Sequence, residues 1–313
     1  MFKAVGMMLI LISADIGMAG EPLLQQDKEV EDVEYRLPIA KSKEEYNAYS
    51  EIVSLQTAEE TVAQSREFLA KYPASALRVA VYQNLVSMLL RYNRYAEAFE
   101  WGKRGLAEYP EHLMIMVPLA SAASHQVLLG NNAFAREGEE MAKQALEFLG
   151  SGKLPNGYKP DRWEEISKTV KADVYQSLGV FYLYSDRYVE AAQMLAEASA
   201  VKSYDPYLLY LLGRAEYKLY QRGERKPLEI RSSDPTETKP STLLEQIVRT
   251  YARAIILAEG TQQESLRTAI DYEIQVLTKA VPSAKAELAR SLEVVREKLN
   301  MIAKPPAAAT DRP

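Results

Sequence analysis

Cysteine is absent from the 313 residues, and histidine occurs only twice, at His112 and His125. Without thiols there can be no disulfide framework, zinc ribbon, iron–sulfur site or thiol nucleophile, and two imidazoles cannot build a multi-histidine metal centre. No excess of positive charge exists either. Lys and Arg number 38 against 43 Asp and Glu, a net charge of -5, so the chain lacks the electrostatic footprint of a nucleic-acid binder. No phosphate-binding loop, dinucleotide glycine fingerprint, nucleophile elbow or HExxH occurs, and the 14 glycines are scattered. Phe and Trp are few, 6 and 2, whereas Tyr reaches 20.

What is present suits a packed fold: 47% hydrophobic and 26% charged residues lie well outside the disordered regime. Residues 1–20 (MFKAVGMMLILISADIGMAG) stand apart. Lys3 supplies a positive start, residues 4–13 carry no charge, and the small residues Gly17, Ala19 and Gly20 follow. This is the three-part plan of a secretory signal peptide, with cleavage expected after Ala19. The rival reading is an uncleaved anchor, but Asp15 interrupts a stretch that is short of the roughly 20 residues a spanning helix needs. No other run is long and apolar enough to cross a bilayer. The expectation is a periplasmic or secreted protein with leader 1–19, a flexible acidic lead-in over 20–42, and no membrane span once the leader is removed.

A repeat governs the remainder. Tyr175, Leu178, Gly179, Tyr182, Ala191, Leu195 and Ala198 fall at fixed steps, and Tyr82, Leu85, Val86, Leu89, Ala98, Gly102, Gly105 and Pro110 occupy the same offsets earlier in the chain. Asn93-Arg94-Tyr95 and Ser185-Asp186-Arg187-Tyr188 form the corresponding turns. Where the early unit carries Gly102 in place of a large residue, Trp101 beside it is expected to supply the bulk. A third copy places Leu209, Leu212, Gly213 and Tyr217 on its first helix and Tyr251, Ala254 and Ala258 on its second, separated by an insertion over 221–240. Weaker helix pairs flank these, over 43–73 and 112–150. Small residues at Gly179 and Ala191 let paired helices approach, and large ones at i, i+3 and i+7 fill the seam. Ser42-x-x-Glu45, Thr57-x-x-Glu60, Asp161-x-x-Glu164 and Thr261-x-x-Glu264 read as helix starts, and Asp205-Pro206 places a cap before a first-turn proline.

The spacing resembles the tetratricopeptide repeat (TPR), with Tyr for Trp and Leu for Phe. The resemblance implies an all-α fold, an α-solenoid of antiparallel helix pairs forming a TPR superhelix of about twelve helices. The array runs over 43–260, capping helices with a polar outer face over 261–302, and a disordered tail over 303–313. Such an array needs no second core to reach this length.

In that family the first helix of each unit lines a concave groove, and set positions on it face a ligand. Carried over by offset, those positions are Gln83, Ser87 and Arg91 in the early unit, and Asp173, Gln176 and Tyr184 in the next. In the third they are Tyr207, Tyr210, Arg214, Tyr217 and Lys218, a tyrosine-rich basic strip. Tyr and Arg suit an interface because each joins large contact area to a polar tip. The alternative is that Tyr217 is core and the other tyrosines are ordinary half-exposed residues. The chaperone-tail clamp of some relatives needs Lys and Asn where Gln83 and Ser87 stand, so it is not implied.

The remaining chemistry is thin. His112 is expected to be solvated or capping at a helix start. His125 is one turn from Ser121, within reach of it, but no acidic orienter is identifiable. Carboxylate neighbours such as Glu139-Glu140 point about 100° apart on a helix and read as solvated faces. The insertion, rich in Pro, Ser and Thr with mixed charge, reads as a mobile loop that covers the groove or is merely tolerated. The expectation is a non-enzymatic scaffold, without cofactor or metal, binding a protein or peptide. The alternative is a structural subunit of an envelope or secretion assembly, and a distant third is an enzyme built around His125 and the insertion.

Overall fold

The computed structural model describes residues 39–155, 158–229, 240–259, 261 and 264–303. The expected leader, most of the lead-in, residues 230–239 of the insertion and the tail from 304 lie outside them. Among the described residues there are twelve helices and no strand. They are α1 Lys43–Ser54, α2 Ala58–Lys71, α3 Arg78–Arg91, α4 Tyr95–Glu108, α5 Leu113–Leu128, α6 Ala135–Gly150, α7 Pro160–Tyr184, α8 Tyr188–Val201, α9 Pro206–Gln221, α10 Leu243–Glu259, α11 Glu264–Ala280 and α12 Ser283–Ala303. The chain divides into two compact units, one ending at Leu178 and the other beginning at Gly179.

Within each unit the packing follows one rule. In the first, every helix from α1 to α5 packs on its successor, and α1, α3 and α5 also pack in turn on one another. In the second, α8 to α12 pack in sequence, with α9 also against α11 and α10 against α12. Contact with the next helix and the next but one is what a stack of helix pairs produces, and the architecture is all-α in that form.

Local chemistry sets the helix starts. Glu45 N–H donates to Ser42 Oγ at 3.1 Å, while Glu45 Oε2 accepts from the Lys41 amide at 2.7 Å. Thr57 Oγ1 accepts from Glu60 N–H at 3.4 Å. Asp205 Oδ1 accepts from the amides of Tyr207 and Leu208 at 2.9 and 3.2 Å, ahead of Pro206. Thr242 caps α10 in the same way, accepting from the Glu245 amide at 3.2 Å. Asp161, expected ahead of its helix, lies inside α7, whose first residue is Pro160. Proline fits a first-turn position because its missing N–H would have no intrahelical partner, and the Asp161 carboxylate then sits over the positive end of the helix dipole. Thr261 donates its hydroxyl to the Ala258 carbonyl at 3.0 Å, and residues 262–263 lie outside the description.

The first helices α3, α5, α7 and α9 all end alike. A residue with positive φ follows each, at Asn93 (59°), Gly130 (83°), Asp186 (61°) and Gly223 (97°). The next amide then bonds five residues back, Arg94 to Leu89, Asn131 to Gln126, Arg187 to Tyr182 and Glu224 to Leu219, at 2.9 to 3.1 Å. Two of these turns also share their side chains. Arg94 pairs with Glu97 and Arg187 with Glu190, while the hydroxyls of Tyr95 and Tyr188 donate to Asn93 Oδ1 and Asp186 Oδ1.

Close helix approach occurs where small residues were read. A Cβ placed on Gly179 would lie 2.5 Å from Leu195 Cγ, and one on Gly213 would lie 2.8 Å from Tyr251 Cε1. Tyr251 is fully buried, so the second helix of the third pair does resume after the insertion with its large residue against Gly213. One detail differs from expectation. The space over Gly102 is filled from α5 by Leu119, whose Cδ1 would lie 2.3 Å from an added Cβ, while Trp101 packs beside Tyr82 with ring centroids 6.4 Å apart.

Candidate functional site

The expected ligand-facing residues fall into two groups, one in each unit. In the first, Gln83, Ser87 and Arg91 recur every four residues along α3, with Gln83 half-buried and the other two exposed. Gln83 Oε1 lies 3.4 Å from Nε2 of His112, the residue just before α5. His112 is thus half-buried and caps α5 through its backbone carbonyl, without a side-chain cap bond. Burial lowers its pKa from 6.5 to about 4, which leaves the ring neutral near pH 7.

Farther along α5, Ser121 Oγ lies 3.5 Å from Ser177 Oγ on α7, and Ser177 donates to the Asp173 carbonyl at 2.9 Å. Asp173 and Gln176, both half-buried, occupy this same part of α7. The structure thus links α3 to α5 through Gln83 and His112, and α5 to α7 through Ser121 and Ser177. The result is a polar row with hydrogen-bonding capacity and little charge. Arg91 is its exposed cation.

In the second unit the strip on α9 is mostly inward. Tyr207, Tyr210 and Tyr217 are 8%, 6% and 4% exposed, so they do not form a projecting row of rings. The physical reason is that α8, α10 and α11 all pack on α9, leaving it little open face. Burial raises the hydroxyl pKa of Tyr207 and Tyr210. What reaches solvent is Tyr184 at 45%, with Arg214 and Lys218 half-buried. Arg214 is held by its surroundings: its Nη1 donates to Tyr184 Oη at 3.4 Å, and its Nε lies 3.4 Å from Glu273 Oε1 of α11. The guanidinium also stands over the rings of Tyr184 and Tyr210, 5.9 and 5.7 Å from their centroids. These contacts are long, and a guanidinium with five donors retains capacity for an acceptor at the surface.

Sequence reasoning missed Glu216, which is fully buried in α9. Its Oε1 accepts from Gln246 Nε2 of α10 at 2.7 Å, whereas Oε2 is buried without a hydrogen-bond partner. Burial pushes the carboxyl up from 4.5 to about 7, against the lowering effect of the Gln246 and Thr250 side chains. The signal was present in the sequence, because Leu209, Leu212, Gly213 and Glu216 share one helical stripe.

Among the described residues no group of three or more His, Asp or Glu is arranged to hold a metal ion, and no helix is long and apolar enough to cross a membrane. Compared with known families and curated proteins, the chain matches no family model and no curated sequence.

Proposed function

We propose that this protein is an exported, non-catalytic scaffold of tetratricopeptide type that binds a protein or peptide along the outward faces of its first helices. The observation that carries the reading is the repeated turn. The same five-back bond, positive-φ residue, Arg–Glu pair and Tyr hydroxyl recur at 93–97 and 186–190, on helix pairs stacked in the order such repeats use. Repeated units of this kind are built to present surface, each touching only its neighbours. The polar row of the first unit and the Tyr184–Arg214 patch of the second offer hydrogen-bond donors, acceptors and a cation. Export rests on Lys3, the uncharged residues 4–13 and the small residues at 17 and 19.

The test is chemical crosslinking and affinity capture of the full chain from cells that naturally produce it. Wild type is compared with Arg91→Glu and with the double variant Tyr184→Ala, Arg214→Ala. Loss of the captured partner in either variant, with circular dichroism unchanged, supports the reading. Equal capture by both sinks the binding surfaces named here. A stoichiometric partner that survives both variants and stringent washing points instead to a structural subunit. N-terminal sequencing of the exported form should begin at Gly20, and a retained Met1 overturns the export reading.

A further inference from the structure

Arg225 donates its guanidinium to the Tyr220 carbonyl of α9 at 2.7 Å, and two further bonds fasten the described part of the insertion to α10. The Leu243 amide, at the start of α10, donates to the Arg225 carbonyl at 2.9 Å. Three residues on, the Leu228 amide donates to Gln246 Oε1, also at 2.9 Å. Gln246 has its amide group fixed at both ends, since its Nε2 donates to Glu216 at 2.7 Å. A relay therefore runs from a fully buried carboxyl on α9, through one side-chain amide on α10, to the backbone of an exposed segment. Residues 225–229 have no regular structure and no other described backbone bond to a helix besides that at Arg225.

The weak point is the other carboxyl oxygen. Glu216 Oε2 is buried and makes no close hydrogen bond, the Thr250 side chain giving it only partial support. A carboxylic acid tolerates this, because the proton can sit on one oxygen while the other accepts from Gln246. A carboxylate does not, since the neutral Gln246 and Thr250 side chains return less than it costs to remove the charge from water. The surroundings offer no cation to either oxygen in hydrogen-bond contact. From α10 the neighbours are Gln246, Thr250 and the Tyr251 hydroxyl, itself buried without a partner. The ionisable groups that bear on Tyr251 are Glu273 of α11, together with Tyr210, Arg214 and Glu216 of α9. The buried residues of α8 are alanines, Leu195 and Ser199. On the segment itself, Arg225, Lys226 and Glu229 are exposed.

We propose that Glu216, acting through Gln246, makes the attachment of residues 226–229 depend on a proton: Leu228 is held when Glu216 is protonated and is released when it ionises, while Arg225 stays bonded to α9. Release frees Gln246 to turn and lets water reach Oε2, which is the hydration the carboxylate needs. The sense follows from linkage. The closed state binds the proton more tightly than the open one, so the attachment is at full strength below about pH 4.5, weakens as pH rises, and reaches its minimum above about pH 7. This device is independent of the scaffold reading above, and stands or falls on the second unit alone.

The test is hydrogen–deuterium exchange of the full chain at pH 5.0 and pH 7.5, corrected for intrinsic base catalysis. Protection of the Leu228 amide should fall on the order of fifty-fold between the two, from the separation of closed and open pKa values. Amides within α9, at Leu211 and Leu212, should keep their protection. In Glu216→Gln the Leu228 protection should become independent of pH, and Glu216→Met provides the same comparison with an apolar side chain of similar volume. Flat protection in the wild type overturns the proposal outright. So does an equal fall in either variant, or a parallel loss of protection across α9, which would mean that the whole unit loosens rather than the segment.

Discussion

Replacing Gly179 by Ala sets two well-calibrated effects against each other. In an exposed helix the change is worth about 1 kcal/mol of stability, because alanine loses less backbone freedom on folding. Here the new methyl would lie 2.5 Å from Leu195 Cγ, 2.8 Å from Leu195 Cδ2 and 3.3 Å from the Leu195 backbone nitrogen. Carbon atoms need about 3.5–4.0 Å, and Leu195 is fully buried, so its branched carbon has nowhere to swing. The backbone nitrogen adds that α8 itself must retreat. Overpacking of this kind costs about 1–3 kcal/mol, and the net expectation is a loss of about 1–2 kcal/mol. Leu195→Ala alone should cost about 2–5 kcal/mol through the cavity it leaves. The double variant separates the terms: the methyl introduced at position 179 then occupies part of that cavity, so the two losses should fall short of additivity by at least about 1 kcal/mol. Urea unfolding followed by far-ultraviolet circular dichroism reads the whole chain. Tryptophan fluorescence reads the first unit alone, since Trp101 and Trp163 both precede Leu178. A Gly179→Ala protein as stable as wild type or more so, or strict additivity with Leu195→Ala, would refute the claim that this glycine exists for helix approach.

Other expectations follow from single contacts. Asp205→Ala removes the acceptor for two orphan amides at the start of α9 and should cost about 1 kcal/mol in thermal or urea unfolding, while Asp205→Asn should cost much less. At Asp186, with φ of 61°, Ala keeps the disfavoured Cβ and loses the short polar side chain that makes this backbone tolerable, and should cost on the order of 1 kcal/mol. Asp186→Gly loses the same exposed Arg222 pair and Tyr188 hydroxyl bond but sheds the Cβ, so it should be less destabilised than the alanine variant by about 1 kcal/mol; a glycine variant as damaged as the alanine one would contradict the backbone argument. His112 acts in the opposite pH sense to Glu216. Its folded pKa lies below the unfolded value, so its contribution is complete above about pH 6.5 and is lost as pH falls towards about 4, by at most about 3 kcal/mol. The urea midpoint by tryptophan fluorescence should drop between pH 7 and pH 4.5 in wild type and much less in His112→Asn. An equal drop in both would remove His112 from the account.

The legibility of this chain divides along one physical line. Features decided by neighbours in sequence were readable. The starts of α1, α2 and α9 fall where Ser42, Thr57 and Asp205 put them, because an N-cap is chemistry between residues three apart or fewer. The pairing of Gly213 with Tyr251 was also readable across the insertion, since the repeat carries its own offset. Exposure was not. Periodicity places Tyr207, Tyr210 and Tyr217 on recurring turns of α9, but the helix is buried at twelve of its sixteen positions, and only the packing of α8, α10 and α11 around it decides which rings reach water. Glu216 lies between these cases. Its register beside Leu209, Leu212 and Gly213 marks a carboxyl on an apolar stripe, a conflict between local pattern and burial that signals strain or a switch. A search of acidic residues by adjacency passes over it, because its partner Gln246 is thirty residues away, beyond the insertion. The antiparallel return of α10 along α9 closes that distance to 2.7 Å and turns a misplaced acid into the anchor of a loop.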